Sequence, residues 1–425
     1  MFFRLHNYVY KIGRSNSMLY NSANNQWYML DEKCNEILDL CENNTEIEKI
    51  DVEHNIVSHY LSDLSKKGLG TYYTTPIHID RILPFAPMII DDNFMLINLY
   101  IEFATECDAA CYYCGKSDNQ FWQLCRSCVM NDKGKSKLNS ETVSVYIEMV
   151  KKYKPLNIII RGGNPFLKNK DMLYYFLDEI VKHIQGKITI VCSGMNINKS
   201  DILMLKKFKD NIVLNIVYWG ICAEDYERVN GSSNIFFEQN KLLDRLENEK
   251  IPYLISVNLS DRVEKPLESI DDYFFQSRGK IPTICEQYTS KKKLLSASEK
   301  RRKLKGTLNE IDFYSRRKYN ACLFGSISVN ISREITPCPG IRKKVGKLCN
   351  DGSCCIDIEL RESYWKSTKN DTNCRNCGLK YMCVDCSALN LDYSKCCEYY
   401  GAAEPPVRCG ESHLSGLTEP PHFVY

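Results

Sequence analysis

Cys107-Asp-Ala-Ala-Cys111-Tyr-Tyr-Cys114-Gly115 carries three cysteines at C-x3-C-x2-C spacing on one tight loop. Thiolates so spaced can ligate three corners of a cubane [4Fe–4S] cluster, which leaves the fourth iron without a protein ligand and free for a small molecule. Directly before the loop runs Phe94-Met-Leu-Ile-Asn-Leu-Tyr-Ile-Glu102, an apolar stretch with the pattern of a buried strand. A zinc loop and a disulfide cluster compete with this reading, because short cysteine motifs are shared among several chemistries. A structural zinc site wants four ligands, usually as two pairs, and gives the aromatic Tyr113 no task.

The rest of the composition favours thiolate ligation. Twenty-two cysteines are far too many for an ordinary cytosolic protein, yet the 425-residue chain is long for a secreted disulfide scaffold. That length predicts two or three domains with real cores. The start, Met1-Phe-Phe-Arg-Leu-His-Asn7, lacks the pattern of a secretory signal. No apolar run approaches the ~18 residues of a spanning helix. A formal charge of +3 makes no case for nucleic acid or a membrane surface, and the expected location is cytoplasmic. Cys34, Cys41, Cys192 and Cys222 stand in apolar contexts and read as buried, inert thiols.

Residues 1–85 carry no metal motif. Tyr8–Ile12, Ser17–Tyr20 and Gln26–Leu30 have strand patterns, with Asn24-Asn25 as a turn. A helix is predicted from about Asp31, its cap, with Cys34, Ile37, Leu38 and Cys41 at helical spacing. A second helix is predicted over Glu53–Lys67 and ends at Gly68. From 94 to 260 the pattern alternates. Strands are predicted at 156–160, 188–192, 212–218 and 253–259, and helices at 143–153, 172–184, 202–208 and 236–249, which implies a parallel sheet with helices outside it. Residues 261–318 read as a basic bridging segment with Lys291–Lys293, Lys300–Lys303 and Arg316–Lys318; such runs are usually solvated faces, or a rim that attracts an acidic peptide. The segment 319–425 carries twelve cysteines, among them Cys374-x2-Cys377-x5-Cys383-x2-Cys386, a strong thiolate-site signal.

The loop at 107–114 resembles that of the radical S-adenosylmethionine (SAM) superfamily. The resemblance implies a partial (β/α)6 TIM barrel in an α/β chain, with SAM chelating the open iron at the C-terminal strand ends. It further implies that Gly162-Gly163-Asn164-Pro165 stands where the family has Gly-Gly-Glu-Pro, with Asn164 losing the charge that would bind the SAM amino group. Ser193 would reach the ribose, Arg228 the carboxylate, and Tyr113 the adenine. The C-terminal cysteines resemble the SPASM domain of radical SAM peptide maturases, which holds two auxiliary [4Fe–4S] clusters. Cys322, Cys338 and Cys386 would then ligate the nearer cluster, and Cys374, Cys377, Cys383 and Cys409 the outer one. The nearer cluster's fourth ligand is open between Cys349, Cys354, Cys355 and a substrate, and the family's glycine before the second cysteine is Arg333 here. Cys125 and Cys128 receive no assignment, and the Cys396-Cys397 pair competes with Cys409. Residues 1–85, closing on Leu64-x3-Gly68-Leu69-Gly70, resemble the winged-helix recognition element that captures the leader of a ribosomally made, post-translationally modified peptide (RiPP) on a strand edge. The implied function is a peptide maturase that cleaves SAM reductively, abstracts a hydrogen from a precursor peptide and installs an oxidative thioether or carbon–carbon crosslink. Its implied partners are that peptide and a reducing donor such as flavodoxin or ferredoxin. A maturase of a protein substrate (sulfatase or quinohemoprotein type) and a non-enzymatic iron–sulfur or zinc scaffold are the alternatives.

Overall fold

The computed structural model describes residues 1–14, 17–81, 96–115, 120–130, 137–263, 265–288, 309–371, 373–378, 380–381, 386 and 417–418. Lys291–Lys293, Lys300–Lys303, Cys383, Cys396, Cys397 and Cys409 lie outside them.

The N-terminal module holds β1 (Phe2–Leu5), the antiparallel meander β2 (Val9–Ile12), β3 (Met18–Asn21) and β4 (Gln26–Leu30), helices α1 (Glu32–Glu42) and α2 (His54–Lys66), and β5 (Gly70–Tyr73). Asp31 starts α1 by accepting the Cys34 amide at 2.7 Å. Gly68, at φ +67°, lets the chain leave α2 and bring β5 back antiparallel to β1. Ile37, Leu38, Cys41, Leu61 and Leu64 fill the space between helices and strands.

The central sheet is built from β6 (Asn98–Ala104), β7 (Gln120–Trp122), β8 (Asn157–Gly162), β9 (Ile188–Cys192), β10 (Ile212–Tyr218), β11 (Tyr253–Leu259) and β12 (Thr283–Tyr288). Strands β6-β8-β9-β10-β11-β12 are neighbours in that order and all parallel, and β7 closes the far edge antiparallel to β12. The crossovers carry α3 (Ser140–Tyr153), α4 (Pro165–Lys168), α5 (Lys170–Ile180), α6 (Lys199–Lys207), α7 (Ala223–Asn230), α8 (Asn234–Asn248) and α9 (Leu267–Arg278). Apolar runs such as Ile158-Ile-Ile160 are covered on both faces, as parallel strands require.

One boundary differs from the sequence expectation. Residues 267–288 are part of this sheet rather than of a polar bridge: α9 buries Leu267, Ile270 and Phe274 along one face, and β12 is the sixth parallel strand. Its Glu286 and Gln287 are polar though buried, so the strand lacks the apolar run that identifies its neighbours.

Beyond the barrel come α10 (Glu310–Lys318), β13 (Ser326–Val329), β14 (Glu334–Thr336), β15 (Gly346–Leu348), β16 (Cys354–Ile356) and α11 (Ile358–Trp365). Strand β13 pairs parallel with β6, so the C-terminal region extends the barrel sheet, and β14–β16 continue it antiparallel to an 11-stranded sheet. Arg333 makes the β13–β14 turn at φ +63°, a left-handed conformation that suits glycine. Its guanidinium is held by Asn350 at 2.6 Å and Glu141 at 2.7 Å.

The N-terminal module packs directly on this C-terminal region. Tyr10, Met18 and Tyr20 bury against Phe313, Tyr314 and Tyr381, with the Tyr10 and Tyr314 hydroxyls 2.8 Å apart. A Cβ on Gly13 would lie 2.4 Å from the Gly378 amide nitrogen, and the Arg14 amide donates to the Asn376 carbonyl at 2.8 Å. The last described pair of residues, β17 (Leu417–Thr418), adds antiparallel to β4 and occupies the outer edge of the meander.

Candidate metal centre

The cysteine loop leaves the C-terminal end of β6 and returns to the barrel mouth. Ala110 at φ +52° and Gly115 at φ +77° supply its tight bends. Cys107, Cys111 and Cys114 line a single cavity with Tyr113, Cys128 and Asn258. The loop is braced from two sides. The Gly115 amide donates to the Met130 carbonyl at 3.2 Å, and the Tyr112 amide to the Val229 carbonyl at the end of α7 at 3.2 Å.

Asn230, next along α7, carries a contact that the sequence did not signal. Its amide donates to the Ala109 carbonyl at 2.8 Å and to the Cys111 sulfur at 3.3 Å. A hydrogen bond to a thiolate sulfur steadies its charge and tunes whatever that sulfur ligates. The only hint was an Asn before Gly231, which reads as an ordinary helix end.

The electrostatics follow from burial. Burial pushes the Cys111 thiol well up, and Cys114 and Cys107 push it further. Cys128 is raised by burial and then by the same three thiols. Uncompensated, these groups stay protonated; a cationic centre would hold them as thiolates.

The residues fit a thiolate-held cluster. Three soft donors face one cavity, and the buried side-chain oxygens of Asn230 and Asn258 have no hydrogen-bond partner. Among the described residues no three His, Cys, Asp or Glu side chains are grouped as a single-ion site. A cubane, with one iron per thiolate, holds its sulfurs further apart than a single ion does.

The remaining sequence candidates fall into two groups. Tyr113 is buried at the cavity, packs on Phe121 with centroids 5.1 Å apart, and accepts from Asn258 at 3.4 Å. Gly162, at φ +117°, and Gly163 let β8 meet the chain's own backbone: a Cβ would come 2.2 Å from the Ala104 carbonyl oxygen or 2.0 Å from that of Glu106. The Gly163 and Asn164 amides donate to those same oxygens at 2.7 and 2.8 Å, so Gly-Gly-Asn-Pro is zipped to the loop. Asn164 caps α4 by accepting the Phe166 amide and donates to Asp108 at 3.3 Å and to the Met195 carbonyl at 3.2 Å. Asp108 also receives the amide of Asn196. Ser193 is buried and accepts the Met195 amide at 3.2 Å, a strand-exit turn held from below by Gln239, which donates to the Ser193 and Val217 carbonyls.

Arg228 is the exception. It lies exposed on α7, about 200° around the helix from Asn230, and is not part of the cavity lining. The arginine that meets the loop is Arg262, after β11, whose guanidinium stacks 3.8 Å from the Tyr112 ring centroid and donates to the Arg228 carbonyl at 3.0 Å. The register of α7, not visible in the residue order, separates the two.

The C-terminal thiols are spread more widely. Cys322 and Cys338 flank β13–β14, and Cys386 donates to the Phe121 carbonyl at 3.9 Å. Cys349 and Cys355 are bonded to each other across β15–β16, and the Cys354 amide donates to the Tyr153 hydroxyl at 2.9 Å, so this hairpin offers no fourth ligand from its bonded pair. Cys374 and Cys377 share a short turn in which the Cys377 amide donates to the Cys374 carbonyl at 2.9 Å.

Residues 99–234 match the family model of the 4Fe-4S single cluster domain. The match covers the cysteine loop, the first four parallel strands of the barrel and α7. Among solved structures, native anSMEcpe with bound AdoMet and Cp18Cys peptide is 14% identical, with 69% of this chain and 89% of that one covered at a TM-score of 0.51. His6-tagged anSMEcpe with bound AdoMet is also 14% identical, covering 69% and 86% at 0.52. Streptococcus suis SuiB is 15% identical, covering 91% and 94% at 0.42. No curated protein sequence matches this one. The chain therefore has the mostly parallel α/β fold of the AdoMet-bound anSMEcpe structures, and residues 99–234 match a [4Fe–4S] cluster domain.

Proposed function

We propose that this chain is a radical SAM enzyme of the SPASM peptide-maturase kind, which abstracts a hydrogen from a ribosomally made precursor peptide and leaves an oxidised thioether or carbon–carbon crosslink. The observation that carries the reading is the convergence of Cys107, Cys111 and Cys114 on one cavity at the C-terminal ends of parallel strands. Those three thiolates would hold the cluster. When bound there, SAM and the reduced cluster supply a 5′-deoxyadenosyl radical able to attack an unactivated C–H bond.

The protein's part is aim, potential and dryness. Asn230 donates to the Cys111 sulfur and would set how readily the cluster takes an electron. Asn164, Asp108 and Asn196 form a polar corner beside the loop, suited to the zwitterionic end of the sulfonium. Tyr113 and Asn258 close the cavity from below and keep water from a reactive radical. A precursor peptide, its leader and a flavodoxin- or ferredoxin-type donor are the partners this reading needs. The peptide bound in the anSMEcpe structure supports a peptide substrate.

Cys128 is the point of attack on this reading, since it lines the same cavity and could be a fourth ligand. Anaerobic reconstitution should load about twelve irons and yield 5′-deoxyadenosine from SAM. Cys128→Ala should keep both the cluster and SAM cleavage. Loss of the cluster in that variant, or zinc uptake without iron, would overturn the open-iron assignment.

A further inference from the structure

The face of β10 that carries Leu214, Ile216 and Tyr218 looks to the helices, since Tyr218 packs on Phe274 of α9 with ring centroids 5.1 Å apart. Strand register carries that face through Ile190 to Ile160 on one side and through Val257 to Ile284 on the other. Arg161, Asn215 and Cys285 therefore share the opposite, inner face of the sheet.

Residues 120–130 run across that inner face as a strap, and each of the three side chains holds one of its carbonyls. Cys285 donates to Gln123 at 3.6 Å, Asn215 to Arg126 at 3.0 Å and Arg161 to Val129 at 2.8 Å. Ser256 steadies Asn215 by donating to its side-chain oxygen at 2.8 Å. One end of the strap is β7, paired with β12; the other is Met130, whose carbonyl takes the Gly115 amide. Past the turn at Gln123, φ +59°, the chain brings Cys128, Val129 and Met130, but not Cys125, into the lining of the cysteine-loop cavity. A Cβ on Gly163 would lie 2.8 Å from the Met130 sulfur, so this wall also closes on the exit of β8.

Arg161 stands apart from the other two anchors. It is 5% exposed, and its Nε has no hydrogen-bond partner. Burying a guanidinium with an unmet donor is costly. An uncharged amide can hold a carbonyl of the strap, as Asn215 does, so the bond to Val129 alone does not account for a charge at this place. Glu102 is its register partner on β6, and the Glu102 carboxylate takes the Ile331 amide at 3.3 Å. The residue that Arg161 holds lines the cavity of the three thiols, so its positive charge lies one carbonyl away from that cavity. Three thiolates give a [4Fe–4S] centre a net negative charge, and a buried cation beside it favours the reduced form. We propose that Arg161 is a positioning residue of the SAM-cleaving site: through the Val129 carbonyl it sets the wall Cys128–Met130, and its buried charge raises the potential of the cluster held opposite. This rests on the reading of the cysteine loop given above. Asn215 does the first of these tasks at Arg126 without the second, and so serves as the internal control.

The test uses the full chain, reconstituted anaerobically with iron and sulfide. The EPR signal that S-adenosylhomocysteine perturbs marks the first cluster, its potential is read by redox titration, and S-adenosylhomocysteine binding is read by equilibrium dialysis. Arg161→Gln keeps a donor and loses the charge. At a fixed solution potential it should lower the reduced fraction about tenfold, which is about 59 mV for one electron, with binding near that of the wild type. Arg161→Lys should restore the wild-type potential. Asn215→Ala should weaken binding about fivefold, the worth of one hydrogen bond, and leave the potential unmoved. An unchanged potential in Arg161→Gln, an equal fall in Arg161→Lys or Asn215→Ala, or unchanged binding in Asn215→Ala would overturn the proposal while the SAM reading stands. Iron loss in both Arg161 variants would mark a merely structural role and overturn it too. A wild-type chain that holds no iron, or whose signals ignore S-adenosylhomocysteine, would sink the SAM reading itself, and the proposal with it.

Discussion

The two thiol-bearing regions of this molecule are built in opposite ways. The loop at 107–114 gathers its donors from eight consecutive residues and is braced by its neighbours, Met130 and the end of α7. The second region draws Cys322, Cys338 and Cys386 from separate segments, of which Cys386 touches the far edge of the barrel. A centre of the first kind needs only a correct local turn. A centre of the second kind would need segments far apart in the sequence to be in place together. Autonomy and dependence are therefore what experiments can separate.

Cys107→Ala should bring the largest effect, with 5′-deoxyadenosine formation falling to background. Cys374→Ala should lose iron while still cleaving SAM, as chromatography of the SAM products will show. Equal loss of SAM cleavage in both variants would break the contrast. Next in size is Phe313→Ala, which hollows the aromatic contact between α10 and the meander. It should cost about 3 kcal/mol and, in a protease-protection assay, expose the Cys374 region before the cysteine loop. Asn230→Ala should lower SAM cleavage about tenfold, as loss of a ligand-orienting bond does, and shift the midpoint potential of the first cluster with auxiliary spectra unmoved.

How much of this was legible in the residues follows the same division. The strands 188–192, 212–218 and 253–259 emerge as β9, β10 and β11 with the expected bounds, because parallel strands buried on both faces leave mostly apolar runs. β12 did not, since the buried polar pair Glu286 and Gln287 breaks the run. The cysteine loop was legible because its geometry is local. Arg228 falls outside the cavity lining and Asn230 was missed for one reason: both depend on the rotation of α7, which a two-residue difference in sequence does not reveal. Cys125 was undecidable from spacing, since the positive φ at Gln123 is what parts it from Cys128.

The smallest expected effect lies in the N-terminal module. Burial pushes the Cys41 thiol from 9.0 up to about 12, Glu42 adding to it and Arg4 opposing. The thiol is neutral in the folded module, so its contribution is fully present below pH 9, where the unfolded chain is also protonated. It is lost as pH rises from about 9 towards 12, because the unfolded state ionises first. Cys41→Val should flatten that alkaline limb in denaturant titrations without changing stability at pH 7 by more than about 1 kcal/mol.

The pairing of β17 with β4 has a consequence for any peptide that would add to the same edge. A segment of the chain itself is a tethered competitor, present at an effective concentration that a free peptide reaches only near the millimolar range. The incoming strand binds with its intrinsic strength divided by the fraction of molecules whose edge is bare. Leu417→Pro, which removes a backbone donor from the internal strand, should therefore tighten leader binding in calorimetry, and precursors with the longest matching β-segment should be discriminated most sharply from short ones.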